Sequence, residues 1–588
     1  MSAKNIVEEV FTVPLAELIW TANTLVVLPL TPQNFAVGSV LPAAFYMCRR
    51  GLRRGKGRFQ NTFAPPDKRA DIWSVAGKLS QDNQSFAGFD SEVEKDILGD
   101  LLLCDELENK GHEEGHRQEI LRAFPAHFLA SWLDLPPVVA HLRFVPEMIV
   151  CLLANQQEGR KIQSGMGRGP FPVGLSPQDN LLFRIFARGV VFGENPADLC
   201  ADTVDEQAQF SLEELLMIRL AQACQEAPET LRATRGAVSD IQNVWPVSHR
   251  AASAFRDDLT VFLENYGTSI PRRSITPMLE SLLGLGLLSI YLESCAIAVT
   301  WDNSGEVLPL DVQSPVPIFA DASNGSDSRL RDLSEQSFDE VIRMFDQASA
   351  SLMSIRILDA KGRFDRRLRE FTPKGPDTTL WLNLLGRVRR EQHERSEAIL
   401  NDLCEKIEAL SAKLESEGIE PEAIDILRAP SASSDPVRTL ADSLCTMMGD
   451  KLLHSNPLKF VDSCLMINEA HGLGRKRRVS RSFAGRKRKM MDVRSVILSN
   501  TLLETLVHLH LIVHEGVLSL AEFIRILRER YGLWVDECPP GISVSREDLL
   551  NNRGMLEHRL RDLGLLVGVN DAEFMKHLRP RFQRNLQS

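Results

Sequence analysis

RKRRVSRSFAGRKRK, residues 475–489, holds nine Lys or Arg and no Asp or Glu. Whether this run is a loop or part of the folded body decides how the C-terminal part of the chain is built. The 588 residues carry a net charge of −11, so everything outside the run carries −20 (−11 minus +9). An acidic protein that keeps one dense cationic segment offers it to a polyanion. Nucleic acid, DNA before RNA, is the first candidate, because Lys and Arg release counterions from phosphates whatever the base sequence. Nine neighbouring cations repel one another, and Ser480, Ser482, Ala484 and Gly485 are small. The run therefore reads as an extended loop that orders on its partner, with Phe483 available to stack on a base. A solvated loop or a targeting tag is the plainer alternative.

The candidate phosphate contacts are Arg475, Lys476, Arg477, Arg478, Arg481, Arg486, Lys487, Arg488 and Lys489. A smaller basic island, CRRGLRRGKGRFQ at 48–60, adds Arg49, Arg53, Arg54 and Arg58 as secondary candidates, with glycines that let a backbone approach a ligand. A third, KGRFDRRLREFTPKGP at 361–376, interleaves Phe364 and Phe371 with its charges.

Around these segments the composition is that of a soluble globular protein, with 44% hydrophobic and 25% charged residues. The length suggests roughly three to four domains. Ten cysteines are scattered without a CxxC, which removes the zinc knuckle and the dithiol redox site and suits a reducing cytoplasm. The N-terminus is acidic where a signal peptide is cationic. The most apolar stretch, 279–299, has a short apolar centre and is interrupted by Glu293, so it reads as a buried core helix and not as a membrane span. A cytoplasmic protein without a membrane partner is expected.

Apolar spacing of three and four residues runs through most of the chain, so the fold class is mainly α, multi-domain, with a small β-containing segment and a C-terminal winged-helix-like domain. The expected divisions are 1–175, an N-terminal helical domain; 176–376, a central helical domain; 377–430, a long helical arm; and 431–588, the C-terminal domain with the basic loop. Ser211 followed by Glu214 is a capping box. Gly267 and Pro271 break a helical run. Residues 297–320 look β-like, with Asn303-Ser304-Gly305 as a hairpin turn. Ile399, Leu403, Ile407, Leu410 and Leu414 form a stripe on one long helix over 380–416, expected to pack within the chain. APSASSDP at 429–436 reads as a linker.

Catalytic patterns are weak. His112-Glu113-Glu114-Gly115-His116 matches HExxH, which zinc peptidases use because His at i and i+4 share a helix face. Its surroundings are polar, where a zincin helix is apolar, so a solvated segment is the preferred reading. His510 and His514, with His508 nearby, share the same spacing and read as hydrogen-bonded residues at the edge of a packed helix. Neither a phosphate loop nor a nucleophile elbow is present. Asp302, Glu306, Asp311 and Asp321 fall near the β-like segment, where a nuclease holds paired carboxylates for metal.

SIPRRSITPMLESLLGLGL at 269–287, PIFADASNGSDSRLRDLSEQSFDE at 317–340 and LLNNRGMLEHRLRDLGLLVGVNDAEFMKHLRPRF at 549–582 together resemble large accessory proteins of bacterial anti-phage defence islands, of the methylation-associated defence type. The resemblance implies a non-catalytic or cryptic component working beside ATPase, methyltransferase or nuclease subunits, with no catalytic residue to carry over and no cofactor. The expectation is a nucleic-acid-binding or scaffold component of such a complex. The alternative is a metal-dependent hydrolase or nuclease subunit.

Overall fold

The apolar runs fold as helices, and the computed structural model is mainly α with short strands. It describes residues 2–584 apart from 51–53, 56–57, 67–68, 82–90, 104–105, 109–119, 134–141, 143, 155–180, 190–207, 225–227, 229–244, 374–376, 430–433, 482–488 and 569–575. Two compact units draw on non-adjacent segments. The larger comprises Met1–Asn34, Val244–Phe255 and Leu283–Arg579, and the smaller Phe35–Asn243, Arg256–Leu282 and Pro580–Ser588. The composition breaks near 175, 376 and 430 do not delimit these units.

In the larger unit the stripe of the arm is core. Ile399, Leu403, Ile407, Leu410 and Leu414 share one buried cluster with Val7 and Phe11 of helix Ala3–Phe11 and with Leu440 and Leu444. The expected single helix over 380–416 is two, Thr379–Arg389 and Ser396–Glu417. Between them Glu391 takes a φ of 60°, which no α-helix accommodates.

The hairpin expected within 297–320 does not form. Helix α1 (Arg272–Ser304) runs through Asn303 and Ser304, and Gly305 at φ +75° follows it, its N–H bonded to the Trp301 carbonyl at 2.7 Å. The β-branched Val299 and Thr300 misled because burial outweighs local propensity here. Trp301 is buried and donates its indole N–H to the Leu382 carbonyl at 2.9 Å, which fixes this turn as helix. Helix α1 is apolar and long enough to cross a membrane, yet most of it is buried inside the protein, as the core-helix reading expected. Its Glu293 pairs with Arg250, and burial pushes the carboxyl pKa up to about 7.

Helix Thr379–Arg389 approaches the end of α1 backbone to backbone, because a Cβ on Gly386 would collide with the Gly305 carbonyl. Gly386→Ala is therefore expected to lower stability by about 2–3 kcal/mol. Gly554→Ala, whose Cβ meets nothing within 4 Å on helix Arg546–Asp562, is expected to raise it by about 0.5–1 kcal/mol. Urea midpoints of the two variants against the parent check the pair.

The part of 297–320 that is a strand is β1 (Ile318–Asp321), buried throughout. Helix α2 (Ser328–Phe364) follows it, with Asp327 accepting the Arg329 and Leu330 N–H groups as its N-cap. After helix α3 (Asn456–Cys464) come β2 (Gly474–Arg481) and β3 (Lys489–Ile497). Then follow α4 (Asn500–Val513), α5 (Leu520–Tyr531), β4 (Leu533–Trp534) and α6 (Arg546–Asp562). The sheet order is β2-β3-β1-β4, with β1 parallel to β3 and β4 and β2 antiparallel to β3. The elements of the expected winged-helix-like segment run α4, α5, β4, α6 and a terminal hairpin, and β4 pairs with β1. The short hairpin after α6 pairs Leu566 with Leu578 and Val567 with His577.

In the smaller unit the Ser211 capping box forms: Ser211 Oγ accepts from Glu214 N–H at 3.3 Å, and the Ser211 N–H donates to the Glu214 carboxylate at 2.9 Å. That carboxylate also receives Arg272 Nε at 3.0 Å. The same guanidinium donates to the Gly267 and Ile185 carbonyls and sits 4.8 Å over the Phe186 ring, so each of its three nitrogens has an acceptor.

Candidate nucleic-acid interface

The basic run is not a loop along its first part. Eight residue pairs, from Gly474↔Val496 to Arg481↔Lys489, make a two-stranded antiparallel ribbon. Residues 482–488, which include Phe483, Arg486, Lys487 and Arg488, lie outside the described residues. Only Val496 and Ile497 pair with β1, so among the described residues the other seven rungs have no third strand beside them. At about 3.4 Å per residue the ribbon is roughly 25 Å long. Val493, Arg494 and Ser495 are buried, while Arg478, Ser480 and Met490 are exposed, so the ribbon is rooted at its base and bare further out.

Strand alternation explains why so many cations tolerate one another. Successive side chains point to opposite faces, so repulsion is halved and each face meets its own carboxylates. On one face Arg477 makes a bidentate pair with Glu335 of α2, at 2.5 and 2.7 Å, and reaches Asp332 at 2.6 Å. Glu335 holds the Arg477 pKa above its ordinary value. On the other face Arg494 forks onto Asp462 of α3, with the second bond at 3.0 Å. Lys476 bridges Asp462 and Asp492, each at 3.1 Å, and holds the Asp492 carboxyl below the usual range. Lys476 and Arg477 therefore serve the ribbon's own anchorage. Arg478 stays largely exposed, 4.0 Å from Asp492. Arg475 is half-buried, its Cγ against Gly325.

Arg494, Asp462 and Glu335 were missed in the sequence. The available signal was a cation, Arg494, set beside the apolar Val493, Val496 and Ile497 at the inner end of the strand, which needs a buried counter-charge.

The secondary candidates lie in the smaller unit. Arg54 turns inward and donates to the Ser131 carbonyl at 3.2 Å and to the Leu133 carbonyl. Arg58 is half-buried, and its carbonyl accepts from Thr62. Arg53 and the side chain of Arg49 lie outside the described residues. The third island is not a free patch. Arg363 pairs with Asp359, Arg367 with Glu394, and Asp365 with Arg395, while Phe364 and Phe371 are exposed.

His112, Glu113 and His116 lie outside the described residues. The four carboxylates near the β-like segment are not gathered. Asp302 is gripped by Arg389 and Arg438, Glu306 and Asp311 are exposed, and Asp321 sits at the end of β1. There it accepts from Ser323 N–H at 2.8 Å, Ser323 O–H at 2.6 Å and Gly325 N–H at 3.0 Å. Burial raises its pKa. Among the described residues no three His, Cys, Asp or Glu side chains group as a metal cage needs.

His510 is buried against Tyr531, its Nε2 2.8 Å from the phenol oxygen, and His508 Nδ1 meets the Glu504 carbonyl at 2.7 Å. Burial pushes the His510 pKa down to about 3 from 6.5. The unfolded chain thus binds this proton more readily than the fold does. The contribution to stability is complete above pH 6.5 and is lost as pH falls toward 3, at up to ~1.4 kcal/mol per pH unit. His510→Gln is expected to remove one proton's share of that slope, read from urea unfolding at several pH values between 6.5 and 4. An unchanged slope would contradict the assignment.

A family model described as methylation-associated defense system protein MAD7 matches residues 24–582. No curated protein and no solved structure matches the chain. With the match running from just after the first two helices of the larger unit to past the terminal hairpin, this chain belongs to the methylation-associated defense system protein MAD7 family.

Proposed function

We propose that this chain is a DNA-binding component of its defence system, and that the β2–β3 ribbon is the part that meets the phosphates. The observation that carries the reading is a basic ribbon on a rooted base, exposed beyond that base at Arg478, Ser480 and Met490. Between 474 and 497 it holds ten Lys or Arg and one Asp, a charge of +9 (10 − 1). Asp332, Glu335 and Asp462 pair with its base and leave +6 (9 − 3). A two-stranded ribbon fits the major groove of a duplex. Cations without base-edge readers favour affinity over sequence preference. In this reading the protein works in the cytoplasm beside other subunits of the system, such as an ATPase, methyltransferase or nuclease.

If about four to six cations meet phosphates, log K against log salt has a slope of roughly −4 to −5 on random duplex, with little change between sequences. Binding of the purified chain at several salt concentrations tests this. No binding at about 50 mM salt, with binding instead to an acidic partner subunit, moves the ribbon to a scaffold role.

A further inference from the structure

Helix α2 carries a second cation, Arg356, into the interior of the larger unit, where it is 4% exposed. Among the described residues no carboxylate reaches it. One terminal nitrogen donates to Thr24 Oγ1 at 3.1 Å, the other to the Ile19 carbonyl at 3.4 Å while lying 3.6 Å from Met353 Sδ, and Nε has no acceptor. A buried guanidinium without a counter-charge is costly, and its relief comes from the Thr24 hydroxyl and the carbonyl end of the short helix Val13–Ile19. The contrast within the same protein is Arg272, whose donors are matched by a carboxylate and two carbonyls.

Arg356 lines a cavity of about 40 Å3 whose other walls include Tyr291, Phe345, Leu352, Leu452 and Leu453. Leu452 and Leu453 come from a π-helical turn, Lys451–Ser455. Such turns recur at functional sites, because the extra residue interrupts regular helix bonding. We propose that this cavity is a binding site for a small carboxylate monoanion, its head on Arg356 and its short apolar tail against the leucines and Phe345. One cation matches one negative charge, and a phosphate dianion would bring a second into an apolar site. The cavity has space for roughly three waters, about the bulk of acetate or propionate.

The test is thermal unfolding and calorimetric titration of the full chain with propionate, propionamide and inorganic phosphate at matched ionic strength. Propionate at about 50 mM is expected to raise Tm by about 1–3 °C. Neutral propionamide and phosphate are expected to leave it unchanged. In Arg356→Met the propionate shift disappears. Equal shifts from propionate and propionamide overturn the proposal, as does phosphate acting as strongly as propionate, or a propionate shift that persists in Arg356→Met. If that variant does not fold, the propionate–propionamide comparison in the parent still decides.

Discussion

Arg494→Ala is expected to destabilise the larger unit by about 3–5 kcal/mol, the largest single effect foreseen for this chain. Arg494 and Asp462 are both nearly buried, and the guanidinium forks onto the carboxylate. Removing the cation leaves Asp462 inside the protein with Lys476 as its remaining partner at 3.1 Å. Lys476 is the more exposed of the two cations, and it also serves Asp492. Replacing both buried charges, Arg494→Met with Asp462→Leu, is expected to return most of the loss, because a hydrophobic pair of similar volume avoids the desolvation penalty. The double variant thus departs from additivity by more than 2 kcal/mol, as groups in direct contact do. Urea unfolding of the parent, Arg494→Met, Asp462→Leu and the double variant gives the cycle. A single variant within about 0.5 kcal/mol of the parent would mean that the ribbon is not rooted through this pair.

That pair also shows where the sequence stopped being readable. Helices were legible because their signal is local. The stripe from Ile399 to Leu414 and the Ser211 capping box each lie within a few turns, and both are in the structure. The ribbon was not legible, because its stability comes from residues far away in sequence. Arg477 is held by Glu335, 142 positions earlier, and Arg494 by Asp462, 32 positions earlier. Read alone, nine cations imply repulsion and an extended loop. Read with the carboxylates of α2 and α3, the cations of β2 alternate between two faces, and Lys476 and Arg477 each meet a carboxylate there.

The misread hairpin at 303–305 has a similar cause. Asn-Ser-Gly serves as a turn between strands or as the end of a helix, and the choice was made by burial of Trp301 and by the close approach of Gly386, 81 positions after Gly305. The candidate site was half legible: the basic segment was found, but which cations anchor the ribbon and which remain outward depended on partners that no local pattern names. Arg356 was invisible for the same reason, since nothing around it in sequence marks a cation whose counter-charge is missing.

The division between anchoring and outward cations gives the central claim its most direct measurement. Lys489 closes the last described rung of the ribbon and follows Arg486, Lys487 and Arg488 directly in sequence, whereas Lys476, Arg477 and Arg494 hold its base. Changing those four to Ala removes four positive charges without touching the ion pairs with Glu335 and Asp462, so the fold is expected to survive with an unchanged urea midpoint. Affinity for random duplex DNA is expected to fall by about 10²-fold at low salt. The slope of log K against log salt is expected to flatten by about two to four units, equally for all sequences. Duplex binding at several salt concentrations, parent against quadruple variant, reads both quantities at once. A flattened slope with uniform weakening is the predicted result, and an unchanged affinity and slope in a folded quadruple variant would contradict the account.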